Sequence, residues 1–229
     1  MNLSNFTFNT TSGIRFGSGT SKTSAEEISQ KLGSNILFIT DKDLMSLKLT
    51  IPTIEELKKF SSVVEIFQDV EADPSLKTLL NAIEYGKKIN ATGVIGFGGG
   101  SSMDVAKLTS LILGSNENID EAWGVSNAKG PRLPLVLVPT TAGTGSEVTP
   151  ISIITVGEEE KKGVSSPIIL PDIAILDPEL TKGLPAHTTA ATGIDAMVHA
   201  IEGYASANKN NNPISKMLAI EALKLLGGS

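Results

Sequence analysis

The middle of the chain carries an apolar segment, a run of three glycines and a helical segment in direct succession. Residues 93–97, GVIGF, predict a buried strand, and residues 105–113, VAKLTSLIL, predict a helix. The junction holds Gly98, Gly99 and Gly100, followed by Ser101. Glycines there let a ligand approach the backbone, while the first helical N–H groups and the positive helix end face an anion. The unit predicts a phosphate site, and a tight turn without a ligand is the alternative.

Similar strand and helix patterns alternate along the chain. Strands are predicted over residues 35–40, 63–67, 133–138 and 173–176, and a hairpin over residues 148–156 and 161–165. Further helices are predicted over residues 24–32, from Asp73 onward, over 188–204 and over 213–226. Asp73 is the expected cap of its helix, with Pro74 in the first turn. The alternation predicts an α/β fold with a parallel sheet and helices on its faces. Because only helices are predicted after Pro185, we place a domain boundary between residues 1–184 and 185–229.

Composition limits the classes of protein that this chain can belong to. A net charge of -6 argues against non-specific nucleic-acid binding, and the absence of cysteine excludes disulfides and thiolate metal sites. No apolar run approaches the ~20 residues that span a bilayer. The first residues, MNLSNF, lack the basic and apolar regions of a signal peptide. We therefore expect a cytoplasmic protein with no nucleic-acid or membrane partner.

Two polar stretches follow predicted strands and are candidate ligand contacts. Asp41 ends the strand of residues 35–40, where a carboxylate can bond ribose hydroxyls and repel a 2′-phosphate. A helix cap for Lys42 onward is the alternative, and the two roles are compatible. Residues 139–147, PTTAGTGSE, follow another predicted strand. Most such stretches are ordinary loops, but ligands of open α/β sheets bind at the carboxyl ends of strands.

One predicted helix carries a possible pair of metal ligands. Asp195 and His199 are four residues apart, so both side chains lie on one helix face. A carboxylate and an imidazole so placed can bind a divalent metal, and a pair that only helps to fix the helix is the alternative. Glu202 adds a further oxygen, unless it only faces solvent. His187, the other histidine, fits a surface or capping position, or a place near a substrate.

Together these stretches resemble the iron-containing (group III) alcohol dehydrogenases over nearly the whole chain. Residues 98–101, with Asp104 and Lys107, are similar to the family's phosphate loop, and residues 139–147 to its second cofactor loop. Residues 173–180 and 191–202 are similar to the stretch that enters its metal-binding helix. The resemblance implies a Rossmann-like N-terminal domain, a helical C-terminal domain and a cleft between them.

The resemblance also implies the residues of the site. It implies that Asp195 and His199 are metal ligands, with iron as the expected metal and zinc as the alternative. It implies NAD as the cofactor, and Asp41 favours NAD over NADP. The implied cofactor contacts are Asp41, Gly98, Gly99, Gly100, Ser101, Asp104, Thr140, Thr141, Thr144, Thr149 and Lys161.

The implied activity is an NAD-dependent oxidoreductase that interconverts an alcohol and an aldehyde or ketone by metal-assisted hydride transfer. A small alcohol or aldehyde is the expected substrate, and the resemblance suggests a homodimer. Family members are longer and take two further histidine ligands from later helices, whereas no histidine follows His199 here. The sequence therefore also fits a C-terminally truncated, dinucleotide-binding fragment that is weakly active or inactive. A glycerol-dehydrogenase-like or dehydroquinate-synthase-like protein is a further alternative.

Overall fold

The computed structural model describes residues 5–228, so residues 1–4 and 229 of the two predicted domains lie outside it. The strands are β1 Gly13–Phe16, β2 Asn35–Ile39, β3 Val63–Phe67, β4 Gly93–Gly98, β5 Gly124–Val125, β6 Leu135–Pro139, β7 Ile151–Val156, β8 Glu160–Ser165 and β9 Ile173–Leu176. The α-helices are α1 Thr20–Thr23, α2 Ala25–Leu32, α3 Lys42–Ser46, α4 Ile51–Phe60, α5 Leu76–Lys88, α6 Gly100–Ser115, α7 Ile119–Ala122, α8 Ala186–Ala205 and α9 Pro213–Gly227. Short 3₁₀ helices cover Ser146–Val148, Pro167–Ile169 and Pro178–Leu180.

Six strands form one parallel sheet in the order β1-β9-β6-β4-β2-β3. The antiparallel β7–β8 hairpin and β5 form a small second sheet. The chain leaves β2 towards β3 but leaves β4 towards β6, so its direction across the main sheet reverses between the neighbours β2 and β4. Ligands of open α/β sheets bind at such a point, beyond the carboxyl ends of the strands.

The main sheet is buried on both faces. In β2, Leu37 and Ile39 belong to a core cluster with α5 and α6, whereas Ile36 and Phe38 belong to a second cluster with α2 and α4. Successive strand residues point to opposite faces, which explains this alternation. Every residue of β4 and β6 is buried, as expected for central strands of a parallel sheet. Two packed layers therefore hold the ends of β2, β4 and β6 in place.

The predicted fold class, α/β with a parallel sheet, is confirmed, and so is the hairpin. The strand over residues 173–176 has the predicted bounds, and no strand occurs in residues 186–228. The central helix, however, begins at Gly100 and not at residue 105. Gly100, Ser101 and Ser102 therefore lie in its first turn. The strand β1 was not identified because it is a short edge strand with mostly exposed side chains.

The predicted helix start at Asp73 is wrong. The helix α5 begins at Leu76, and Ser75 caps it by accepting a hydrogen bond from Thr78 N–H at 3.2 Å. Pro74 is held outside the helix because its carbonyl accepts a hydrogen bond from Thr155 N–H at 2.8 Å. This contact connects the segment before α5 to the small sheet, so the helix begins further along the chain than predicted.

The last two helices pack mainly against each other. Two hydrogen bonds connect their joining loop to the N-terminal segment, between the Asn210 side chain and the Thr7 backbone, both at 2.7 Å. Within the described residues, none of the helices combines the length and the apolar character that crossing a membrane requires.

Candidate cofactor site

The glycine run forms an open helix start at the end of β4. Gly98 has a φ of +152°, and a Cβ there would lie 2.7 Å from Ser102 Oγ, so a larger residue does not fit. Gly99 caps α6 without a side-chain hydrogen bond, and Met103 N–H bonds back to Gly99 O at 3.2 Å. Ser101 lies in the first turn, which contains no acidic residue. Because the first helical amides have no intrahelical acceptor, this end can bind an anion.

The loop of residues 139–147 lies directly over the glycine run. A Cβ on Gly99 would lie 3.8 Å from Thr141 Oγ1, and one on Gly100 would lie 3.1 Å from Thr144 Cγ2. The structure therefore brings together two stretches that the sequence separates by about forty residues. The hydroxyls of Thr141 and Thr144 flank the amides at the start of α6, and both kinds of group can donate hydrogen bonds to phosphate oxygens.

Asp41 stands on the opposite side of the glycine run, after β2. Its Oδ1 accepts a hydrogen bond from Leu44 N–H at 2.9 Å, so the predicted helix-cap role is confirmed. Leu44 Cδ1 lies 3.3 Å from the position that a Cβ on Gly98 would take, so α3 borders the glycine run. Burial raises the pKa of Asp41, and the Leu44 hydrogen bond partly opposes this. Its contact with a ribose stays a prediction.

Asp104 and Thr149 belong to a polar cluster between α6 and β7. Asp104 Oδ1 accepts a hydrogen bond from Ser146 Oγ at 2.8 Å, and Oδ2 accepts one from Ile153 N–H at 3.0 Å. Thr149 Oγ1 lies 3.5 Å from Lys107 Nζ. Burial raises the pKa of Asp104 above its usual value, and the charge of Lys107 and these hydrogen bonds only partly oppose this rise. Both predicted contacts thus have protein partners, and direct cofactor contact by them stays a prediction.

The last two predicted contacts have different surroundings. Thr140 N–H donates to Gly98 O at 3.0 Å, and the Thr140 hydroxyl is buried without a partner among the described residues. Lys161 lies on β8, and its Nζ donates to Asp73 Oδ1 at 2.6 Å in an exposed ion pair. Thr140 therefore joins the glycine run, whereas no described contact links Lys161 to it.

Asp195 and His199 lie side by side on α8. Asp195 Oδ1 is 3.8 Å from His199 Nε2, and the side chains are 43% and 52% exposed. With metal–ligand bonds of about 2 Å, two atoms on one ion lie roughly 3–4 Å apart, so the pair fits two ligands. Residues 5–228 contain no group of three His, Cys, Asp or Glu side chains that could hold a metal. Glu202 and His187 therefore do not complete the site, and catalytic zinc sites use three protein ligands.

The loop of residues 139–147 also contacts the helix that carries this pair. A Cβ on Gly143 would lie 2.8 Å from Thr192 O, so only glycine permits the approach. Thr192 precedes Asp195 by three residues, which is about one helical turn. The loop therefore connects the glycine run to the neighbourhood of Asp195 and His199.

Lys107 and Ser146 belong to the phosphate-loop and second-loop motifs but were not among the implied cofactor contacts, and the structure brings them together. Lys107 Nζ donates to Ser146 Oγ at 2.8 Å, and its side chain is fully buried. A lysine inside the apolar stretch of residues 105–113 was the available sequence signal, because lysine is rarely buried without partners. Its partner could not be identified, since Ser146 is far away in sequence.

The fold is Rossmann-like, and comparison with known proteins identifies its family. The family model for iron-containing alcohol dehydrogenase matches residues 11–178, and the model for the C-terminal part of the Fe-containing alcohol dehydrogenase family matches residues 189–229. The chain belongs to the iron-containing alcohol dehydrogenase family.

Individual relatives agree with this assignment. Long-chain-alcohol dehydrogenase 1 of Geobacillus thermodenitrificans is 39% identical over 87% of this chain and 51% of its own length. The alcohol dehydrogenase from Oenococcus oeni has a TM-score of 0.93 and 33% identity, over 98% of this chain and 59% of that one. The sulfoacetaldehyde reductase from Bifidobacterium kashiwanohense, solved in complex with NAD+, has a TM-score of 0.87 and 32% identity over the same shares. The chain spans about half the length of the curated relatives it matches.

Proposed function

We propose that this chain is the NAD-binding part of an oxidoreductase that interconverts an alcohol and an aldehyde or ketone by metal-assisted hydride transfer. The observation that carries the proposal is the placement of residues 139–147. This loop contacts the glycine run through Thr141 and Thr144 and contacts α8 through Gly143. A nicotinamide cofactor bound there would have its pyrophosphate at α6 and its reactive ring towards α8.

The residues at the ends of β2, β4 and β6 fit a dinucleotide. A cradle lies above Gly99, where the nearest atom to an added Cβ is 3.8 Å away. The amides at the start of α6 and the hydroxyls of Thr141 and Thr144 would hold the pyrophosphate. Asp41 would accept hydrogen bonds from the adenosine ribose and repel the 2′-phosphate of NADP. When bound, the nicotinamide ring supplies the hydride acceptor or donor, and the protein orients it and limits water access.

The metal part of the proposal rests on fewer groups. We propose that Asp195 and His199 supply two ligands of a divalent ion, iron by the family assignment and zinc as an alternative. A metal at such a site polarises the alcohol or carbonyl oxygen. Two protein ligands hold an ion weakly, and the full site needs further ligands. We propose accordingly that residues 1–184 form the dinucleotide-binding unit and residues 185–229 the first part of a metal-binding unit.

A dinucleotide-binding protein without turnover is the second candidate. It is favoured by one observation, the absence of a third metal ligand near Asp195 and His199 among the described residues. Both candidates require NADH binding, so binding alone does not separate them. They differ in alcohol-dependent reduction of NAD+.

The test combines binding and turnover in the 229-residue chain. NADH binding is measured by the change in nicotinamide fluorescence, and NADH formation from NAD+ and short alcohols is followed with added Fe²⁺ or Zn²⁺. We expect NADH to bind and metal-dependent turnover to be very weak, whereas a complete absence of turnover supports the second candidate. A folded chain that does not bind NADH contradicts the cofactor assignment. Robust turnover contradicts the second candidate and the need for further ligands.

A further inference from the structure

The helix α6 carries a fully buried lysine whose ammonium group contacts the end of the second loop and the start of β7. Lys107 Nζ donates to Ser146 Oγ at 2.8 Å and to Ile151 O at 2.7 Å, with Thr149 Oγ1 at 3.5 Å. An ammonium group has three hydrogens, and three oxygens surround it. The side chain thus joins the helix of the phosphate cradle to residues 146–151.

Ser146 is the centre of this cluster. Its hydroxyl accepts the hydrogen bond from Lys107 and donates one to Asp104 Oδ1 at 2.8 Å. Its backbone N–H donates to Thr144 Oγ1 at 3.3 Å, and Thr144 in turn lies against Gly100. A short series of contacts therefore leads from Lys107 through Ser146 and Thr144 to the start of α6.

The charge of Lys107 has partners but no access to solvent. Asp104 Oδ1 lies 3.9 Å from Lys107 Nζ, and both Asp104 and Glu147 stabilise the charged form. Burial outweighs them and lowers the pKa of Lys107 to about 8. A buried cation is costly to keep, and its Nζ is used entirely within the protein. Lys107 is therefore unsuited to bind a cofactor phosphate, although it closes the phosphate-loop sequence.

We propose that Lys107 is a positioning residue that holds residues 144–149 at a fixed distance from α6 and so shapes the pocket for the nicotinamide half of the cofactor. This inference rests on the proposed NAD-binding function. The loop contacts α8 through Gly143, so its position determines the space between the glycine run and that helix. The adenosine half, next to Asp41 on the other side of the glycine run, does not depend on this cluster.

The test compares two ligands on three variants of the 229-residue chain. Lys107→Met removes the ammonium group, and Ser146→Ala removes the central hydroxyl while keeping both charged groups. Thr109→Val is the matched control, because Thr109 is buried on the same helix and its hydroxyl has no partner among the described residues. NADH binding is followed by fluorescence and adenosine binding by ligand-observed NMR, with folding checked by circular dichroism.

We expect Lys107→Met and Ser146→Ala to weaken NADH binding about tenfold or more, since each loses a hydrogen bond involving a charged group. Adenosine carries only the part of the cofactor next to Asp41, without a phosphate, and its affinity is expected to change less than about twofold in every variant. Thr109→Val is expected to bind both ligands like the wild type. If Lys107→Met fails to fold, Ser146→Ala alone carries the test.

Two results would overturn the inference. Equal weakening of adenosine and NADH binding would indicate a general loss of structure, and unchanged NADH affinity in a folded Ser146→Ala or Lys107→Met chain would mean that the cluster does not shape the pocket. Failure of the proposed function looks different, because the wild-type chain would then bind neither ligand. In that case there is no nicotinamide pocket for Lys107 to position.

Discussion

The α/β layer and the pair of C-terminal helices both contribute residues to the proposed site, but they differ strongly in how well their side chains are buried. The main sheet has a buried cluster on each face, and its central strands are buried at every residue. In α8 and α9, Ala200 and Ala219 are the buried residues. The large apolar side chains of these helices that are exposed are Ile194, Val198, Ile201, Tyr204, Ile214, Met217, Leu218, Ile220 and Leu225.

This contrast separates the two halves of the site. Asp41 and the glycine run follow strands whose positions are fixed by close packing on both sides. Asp195 and His199 lie half-exposed on a helix that packs mainly against α9. We therefore infer that the cofactor half is preorganised by its own core, whereas the geometry of the metal half depends on little beyond α9 and Gly143.

The largest expected effect comes from the same substitution made in each region. Ile95→Ala removes a fully buried side chain from β4 and is expected to lower the free energy of unfolding by about 2–5 kcal/mol. Ile201→Ala, on α8, removes a side chain that is 54% exposed and is expected to cost less than about 0.5 kcal/mol. Urea unfolding followed by circular dichroism measures both. Equal losses would mean that α8 is as well packed in solution as the sheet.

The second prediction concerns the effect of buried Lys107 on the pH dependence of the free energy of unfolding. Its pKa falls from 10.5 to about 8 in the folded chain. Between these pH values the unfolded chain binds more protons, so the free energy of unfolding should rise with pH. The rise due to Lys107 is at most about 3 kcal/mol; it begins near the folded pKa and is nearly complete at the unfolded pKa.

The measurement is urea unfolding at several pH values from 7 to 10.5, with the wild type and Lys107→Met compared at each. The difference between the two chains isolates Lys107 from the other groups that titrate in this range. The stability of the wild type relative to the variant should increase with pH. A constant difference would show that Lys107 keeps its ordinary pKa when folded, contrary to its burial.

The same contrast explains what could be predicted from the sequence. The strand of residues 173–176 and the α/β class follow from short apolar runs, whose burial in a parallel sheet leaves a clear pattern. The start of α5 could not be predicted, because the hydrogen bond from Thr155 to Pro74 O depends on a hairpin far along the chain. Within the site, spacing on one helix identified Asp195 and His199 as a pair. The contacts of Ser146 with Lys107 and Asp104 required the tertiary structure.

The third prediction separates the two roles of Asp41. Asp41→Ala removes the cap of α3 and is expected to cost about 1 kcal/mol of stability. Asp41→Asn keeps a capping oxygen and should remain within a few tenths of a kcal/mol of the wild type. Because Asn has no charge to repel a 2′-phosphate, it should lower the preference for NADH over NADPH on the order of tenfold. An unchanged preference in Asp41→Asn would leave Asp41 as a helix cap only.

The smallest effect on stability is expected on α8. His199→Ala should change the free energy of unfolding by less than about 0.5 kcal/mol in metal-free buffer, because exposed ion pairs contribute little. Added Fe²⁺ or Zn²⁺ stabilises a folded chain that binds it by RT ln(1 + c/Kd), where c is the free metal concentration. We expect a small rise in melting temperature with metal in the wild type, none in His199→Ala, and the full rise in Glu202→Gln as the matched control. A metal-induced rise that survives His199→Ala would place the ion elsewhere, and loss of the rise in Glu202→Gln would add a third ligand to this face of the helix.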